Sequence, residues 1–273
     1  MKNRILLPLL LLCTARLACG APLPSAEITS KAFGDTRGVL VVVDCDKGEV
    51  FSSNPKLAKE AFGPCSTFKI WNTLIGLEEG IIKGADEPFW KWDGQERSLP
   101  GWNKDQTLRE AFKASCVPAY QELARKIGRE RMQGWINKLD YGNKDLCGRP
   151  DGFWLPRAGQ KCILISPEEQ AQMVCRLLAG KLPFGEASVA TLEEIMKSET
   201  TDRGTMYGKT GSGLRDADRG AAKGVDFDMG WWVGFLRHGG KHYAFACLVL
   251  GPGLSGKDAR RIAESVFRSG GML

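Results

Sequence analysis

Strand-like stretches stand at both ends of this 273-residue chain, with helical periodicity between them, and that arrangement limits the fold more than any other feature. Val39-Leu40-Val41-Val42-Val43 is a continuous apolar, Val-rich run of strand length, and 49–52 is placed to return beside it. Strand character comes back only late, at 205–211, 229–236 and 242–250. In between, Phe68, Ile70, Trp71, Leu74, Ile75 and Leu77 recur at helical spacing until Gly80 closes the segment. Further helices are expected at 107–114, 117–127, 129–139, 167–178 and 188–196, with a last one at 258–267. The pattern predicts an α+β fold: one antiparallel sheet built from both termini, flanked by helices, with a mostly helical subdomain over roughly 66–200. A cleft between two such lobes is a natural place for a site.

The chain opens Met1-Lys2-Asn3-Arg4, runs apolar from Ile5 to Leu12, and reaches the small residues Ala18, Cys19, Gly20 and Ala21. This is the form of a secretory leader, too short to span a membrane comfortably, with cleavage expected after Gly20. Lipoprotein processing at Cys19 is the rival, with Arg16 standing against it. Residues 1–20 are therefore expected to be a signal peptide, and 21–273 a single domain without linker or repeat. Loss of the leader leaves 35 basic residues against 32 acidic ones, a net charge of +3. No basic block with interleaved aromatics is present, which argues against nucleic acid as a partner. Nine cysteines fall to seven on export, an odd number that leaves at least one thiol outside any internal bridge.

Ser66-Thr67-Phe68-Lys69 opens the first long helix. Positions three apart share a helix face, so the Ser66 hydroxyl and the Lys69 amine can meet, and free N–H groups at the helix start favour negative charge near Ser66. A serine becomes a strong nucleophile only beside a base, and a lysine is a base only when neutral, as burial among Phe68 and Trp71 would make it. The plain alternative is an N-cap serine and an ordinary helical lysine. Lys209-Thr210-Gly211 lies in a strand whose lysine and hydroxyl suit a substrate carboxylate, and the N–H of Ser212 would be an oxyanion donor beside that of Ser66. Ser115 either relays a proton between Ser66 and Lys209 or caps the helix at Pro118. His238 and His242, the two histidines, sit late and outside any catalytic motif, and no metal-ligand spacing occurs.

The order Ser66-Thr67-Phe68-Lys69, Ser115-Cys116-Val117, Tyr141-Gly142-Asn143, Lys209-Thr210-Gly211 resembles that of class D serine β-lactamases. Lys91-Trp92-Asp93-Gly94, Phe153-Trp154-Leu155 and Trp231-Trp232-Val233-Gly234 agree with it, from about Phe62 to about Leu250. The resemblance implies hydrolysis of a small β-lactam through a Ser66 acyl-enzyme, conferring resistance, in a periplasmic monomer or homodimer with no cofactor. It further implies that carbon dioxide converts Lys69 to N6-carboxylysine, supported by Trp154 and sheltered by Val117, with Ser115 and Lys209 moving protons. Lys209, Thr210, Gly211, Ser212 and Arg260, with Arg261 as rival, would meet the substrate. A transpeptidase or a non-hydrolysing β-lactam sensor are the alternatives. Cys116 stands where the family usually has an uncharged polar residue, often asparagine. Cys45 and Cys65 are expected to form a bridge pinning the nucleophile helix to the sheet, and Cys147 and Cys162 a second around the Phe153-Trp154 loop.

Overall fold

The computed structural model describes residues 23–155, 162–214 and 227–273; the expected leader, 1–20, lies outside them. One sheet runs through the molecule, with β1 (Arg37–Asp44) and β2 (Val50–Ser52) from the N-terminal side and β5 (Lys197–Thr200), β6 (Gly204–Gly213), β7 (Met229–His238) and β8 (Lys241–Leu250) from the C-terminal side. The order is β2-β1-β8-β7-β6-β5, and every pairing is antiparallel. The strands expected from the sequence are all present, and the α+β reading with a sheet drawn from both ends holds.

Helices cover both faces of this sheet, which explains why β7 and β8 read as continuous apolar runs rather than alternating ones. On one face lie α1 (Ala26–Phe33) and α9 (Gly256–Ser269), whose Ala259, Ile262, Ala263, Val266 and Phe267 form a buried stripe at helical spacing. On the other lies the helical lobe: α2 (Pro55–Ala58), α3 (Lys69–Glu78), α4 (Leu108–Lys113), α5 (Val117–Ile127), α6 (Arg129–Leu139), α7 (Pro167–Leu178) and α8 (Glu186–Met196). A two-stranded ribbon of β3 (Pro88–Trp90) and β4 (Gln106–Thr107) edges that lobe. Local chemistry sets several starts. Ser166 and Glu169 form a capping box with Pro167 in the first turn of α7, and Thr107 with Glu110 does the same for α4, each such cap contributing about 1 kcal/mol.

The leading differences from the sequence reading are short or peripheral elements. Helix α1, begun by Ser25 accepting from Ile28 N–H, and the edge strand β5 carry no strong periodic signal and are held by the surfaces they cover. One disulfide expectation is overturned. Cys45 is bonded to Cys175 of α7, Cα atoms 5.3 Å apart, and Cys65 is a buried free thiol. The reason is strand order: Cys65 packs against Gly211 of β6, three strands from β1, about 14 Å away and beyond bridging distance, whereas α7 crosses directly over β1. Cys147–Cys162 forms as expected, Cα atoms 5.1 Å apart.

Candidate active site

Ser66 does not stand in the α-helix proper but in a 3-10 turn, Cys65–Phe68, that runs into α3. With three residues per turn, side chains three apart nearly eclipse, so Lys69 Nζ comes to 2.7 Å from Ser66 Oγ. Ser66 keeps 9% exposure while Lys69 keeps none. The turn is held by Thr67, whose hydroxyl donates to Pro64 O at 2.6 Å and accepts from Gln170 Nε2 of α7 at 2.9 Å. Cys65 has φ of +51°, a strained conformation for a residue with a Cβ, directly before the serine.

Ser115 does not cap α5. It has φ of +52°, the N-cap of α5 is Cys116 with no side-chain cap bond, and the Ser115 hydroxyl points at two amines instead. Its Oγ is 3.0 Å from Lys209 Nζ and 3.4 Å from Lys69 Nζ. The capping reading is therefore a misfit: a left-handed turn before the helix swings the side chain away from the helix amides. Ser66, Lys69, Ser115 and Lys209 form one unbroken polar chain within an apolar wall.

Strand β6 delivers Lys209. Beyond β5 its outer edge is open, and Gly211 is pressed against the serine turn, where a Cβ would sit 3.2 Å from Ser66 N and 3.1 Å from Pro64 O. Only glycine allows this approach without displacement. Asp228 N–H donates to Gly213 O on the β7 side, so alternation turns the N–H of Ser212 to the open edge, the side of Ser66 N–H. The Ser212 hydroxyl looks away and accepts from Gly256 N–H at the start of α9. A cleft of about 250 Å³ follows this edge, lined by Lys209, Thr210, Phe112, Lys113, Ser198 and Arg260.

Burial dominates the electrostatics. Desolvation lowers the Lys69 amine to about 7, with the nearby Cys116 and Cys65 thiols opposing it weakly, and the amine faces the Tyr120 ring at 5.4 Å. Lys209 is pushed well below its ordinary value by burial first and by the charge of Lys69 second. The Cys65 thiol is driven up to about 12 by burial, so it stays protonated beside the serine.

Trp154 stacks on Phe68, ring centroids 6.0 Å apart, next to Lys69 in the chain. Its indole N–H is buried and has no hydrogen-bond partner among the described residues, a state that costs about 1–3 kcal/mol unless an acceptor arrives. Residues 38–269 match the penicillin binding protein transpeptidase domain family. The Bacillus subtilis protein "Probable beta-lactamase YbxI" is 36% identical over 241 residues, 88% of this chain and 84% of its own. "Beta-lactamase OXA-48" of Klebsiella pneumoniae is 37% identical over 234 residues, 85% and 83% of the two chains. The crystal structure of a class D β-lactamase from Bacillus subtilis has 34% identity and a TM-score of 0.80, covering 90% of this chain and 96% of that one. This chain belongs to the class D β-lactamase family.

As a class D β-lactamase it carries the other sequence-predicted residues as follows. Arg260 lies on the cleft, its guanidinium over the Trp232 ring at 5.1 Å and bonded to Glu264 at 2.6 Å. Arg261 lines a groove against α1 on the other side of α9 and is not among the residues lining the cleft. Val117 opens α5, half-buried, two residues after Ser115. Tyr141-Gly142-Asn143 is a clamp on the main chain. A Cβ on Gly142 would come within 2.0 Å of Leu164 O, and Asn143 accepts from Leu164 N–H and donates to Cys162 O. The tripeptide thus closes the base of the loop that bears Trp154, together with Cys147–Cys162.

His238 pairs with Arg203 O and His242 with Arg237 at the far end of the β7–β8 hairpin, outside the cleft. Sequence reading missed Phe112, whose ring lies 5.5 Å from Lys209 Nζ, and Tyr120, bonded to Thr73 at 2.8 Å. Both lie on helices at ordinary apolar positions, and only the folded lobe shows what they face. Among the described residues no helix is long and apolar enough to cross a membrane.

Proposed function

We propose that this protein hydrolyses the β-lactam ring of penicillin-type antibiotics and so confers resistance to them, with Ser66 as nucleophile and carboxylated Lys69 as general base. The observation that carries the reading is a fully buried lysine amine, brought to about 7, at 2.7 Å from the hydroxyl of a serine that keeps 9% exposure. At neutral pH such an amine is neutral in a large fraction of molecules, the form that combines with carbon dioxide, and the carbamate so formed accepts the Ser66 proton as Oγ bonds to the lactam carbonyl carbon. The N–H groups of Ser66 and Ser212 face the developing oxyanion, and Lys209, Thr210 and Arg260 receive the substrate carboxylate. When the ring C–N bond breaks, the nitrogen needs a proton, and Ser115 joined to Lys209 at 3.0 Å is the path for it. Hydrolysis of the resulting ester requires a base for water in the same place, and position 69 supplies it.

The residues also fit a carboxylated Lys69. Carbon dioxide on the neutral amine would supply an anionic base, with the unpartnered Trp154 indole N–H as its donor and Val117 helping to exclude water. The family resemblance and the export-type first residues support a periplasmic enzyme processed after Gly20, for which N-terminal sequencing should read Ala21.

Hydrolysis of a small β-lactam panel with and without added bicarbonate tests the reading. Steady turnover of a penicillin, raised by bicarbonate, is expected; a single stoichiometric burst would instead favour a transpeptidase or sensor. Ser66→Ala should form no covalent penicillin adduct by mass spectrometry, and a persistent adduct in that variant would overturn the assignment.

A further inference from the structure

Three residues before Trp154, Asp151 is a carboxylate with 3% side-chain exposure that the mechanism above does not use. It is held from two sides. Arg149, in the same loop, donates from Nε to Oδ1 at 3.0 Å and from Nη2 to Oδ2 at 2.8 Å. Arg125 of α5 donates from Nη1 to Oδ2 at 2.6 Å, and Gln121, one turn earlier on the same helix face, donates to the Asp151 carbonyl at 3.0 Å. Burial alone would raise the Asp151 carboxyl, but the bonds from Arg149 and Arg125 together outweigh it and hold it below the usual carboxylate range. The helix that grips the loop is also the helix whose first residue follows Ser115-Cys116, so α5 ties the proton-relay turn to the loop bearing the indole. Only the carboxylate is buried, while Arg125 and Arg149 keep 52% and 70% exposure, so the clamp orients a buried group from the surface.

We infer that Asp151, clamped by Arg125 and Arg149, is a positioning residue that aims the Trp154 indole N–H at Lys69 and thereby sets how tightly the enzyme holds carbon dioxide. This rests on the carboxylated-lysine reading of the site. The bond in question forms between the neutral Lys69 nitrogen and the carbon of carbon dioxide, with loss of one N–H proton to solvent. Asp151 takes no part in that chemistry; it holds the donor that receives the product.

The test is a titration with 13C-bicarbonate, followed by the carbamate carbon signal in NMR and, in parallel, by kcat and KM. Asp151→Asn should need about tenfold more bicarbonate for half-maximal signal, the lower end of what groups orienting a ligand residue contribute at metal sites. Its kcat at low bicarbonate should fall in proportion and return at saturating bicarbonate, with KM nearly unchanged. Arg125→Gln, half-exposed and leaving Arg149 in place, should shift the same titration in the same direction by less, and it decides the matter if Asp151→Asn does not fold. Equal bicarbonate dependence in wild type and both folded variants, or a loss of kcat that bicarbonate does not restore, would overturn the inference while leaving the carbamate intact. No carbamate signal even in the wild type would remove the underlying reading, and this inference with it.

Discussion

Lys69 has no exposure and forms no salt bridge among the described residues, so its amine is far easier to deprotonate than a solvated lysine. The direction of the pH dependence follows. Below about 7 the amine holds a proton and cannot combine with carbon dioxide to form the base, so kcat/KM should fall about tenfold per pH unit on the acid side of that value. A rate profile flat down to pH 5 would show that some other group is the base. Lys209 shares the effect, since its low proton affinity depends partly on the charge of Lys69. Ser66 and Lys69 were legible as residues because their spacing is local. Trp154 was reached through the family resemblance, but Phe112 and Tyr120 were not legible, since they come from separate segments at ordinary apolar helix positions. The same limit let Ser115 stand as either relay or cap until the backbone showed a φ of +52°.

At the scale of elements, the site is a meeting of one turn and one strand edge. The 3-10 turn presents Ser66 and Lys69, β6 presents Lys209 and the Ser212 N–H, and Gly211 sets the gap between them. Gly211→Val would add two γ carbons where even a Cβ is crowded, driving β6 from the turn and spoiling the paired N–H donors. The expected result is a folded protein with kcat/KM lower by at least tenfold, about 1.4 kcal/mol in the barrier, checked by circular dichroism beside the kinetics. Unchanged kinetics would mean that the edge adjusts freely and that Ser212 is not a fixed donor. The long helices and strands were readable because periodicity and capping residues are local signals. The short β5 and the ribbon β3–β4 exist only through pairing with distant segments.

In the whole molecule, Cys45–Cys175 joins the sheet to the helical lobe across 130 residues, worth about 5 kcal/mol in the chain-entropy picture. The protein lacking residues 1–20, denatured without reductant, should titrate three thiols, Cys65, Cys116 and Cys247. Peptide mapping should join Cys45 to Cys175 and Cys147 to Cys162, and recovery of a Cys45–Cys65 peptide would refute this connectivity. Thiol counting alone would not separate the two pairings, since both leave three. Sequence spacing carries no information on which cysteines meet, whereas strand order does.

Taken alone, the sequence determined the long elements and the serine–lysine spacing, because each rests on residues near one another in the chain, and the lobes and the family, because the order of such local signals along the chain is itself readable. Tertiary structure alone decided the disulfide partner of Cys45, the placing of Arg260 rather than Arg261 on the cleft, the turn of Ser115 toward two amines and the complete burial of the Lys69 amine. Those depend on which surfaces come together across the sheet, and desolvation and close contact exist only once they do.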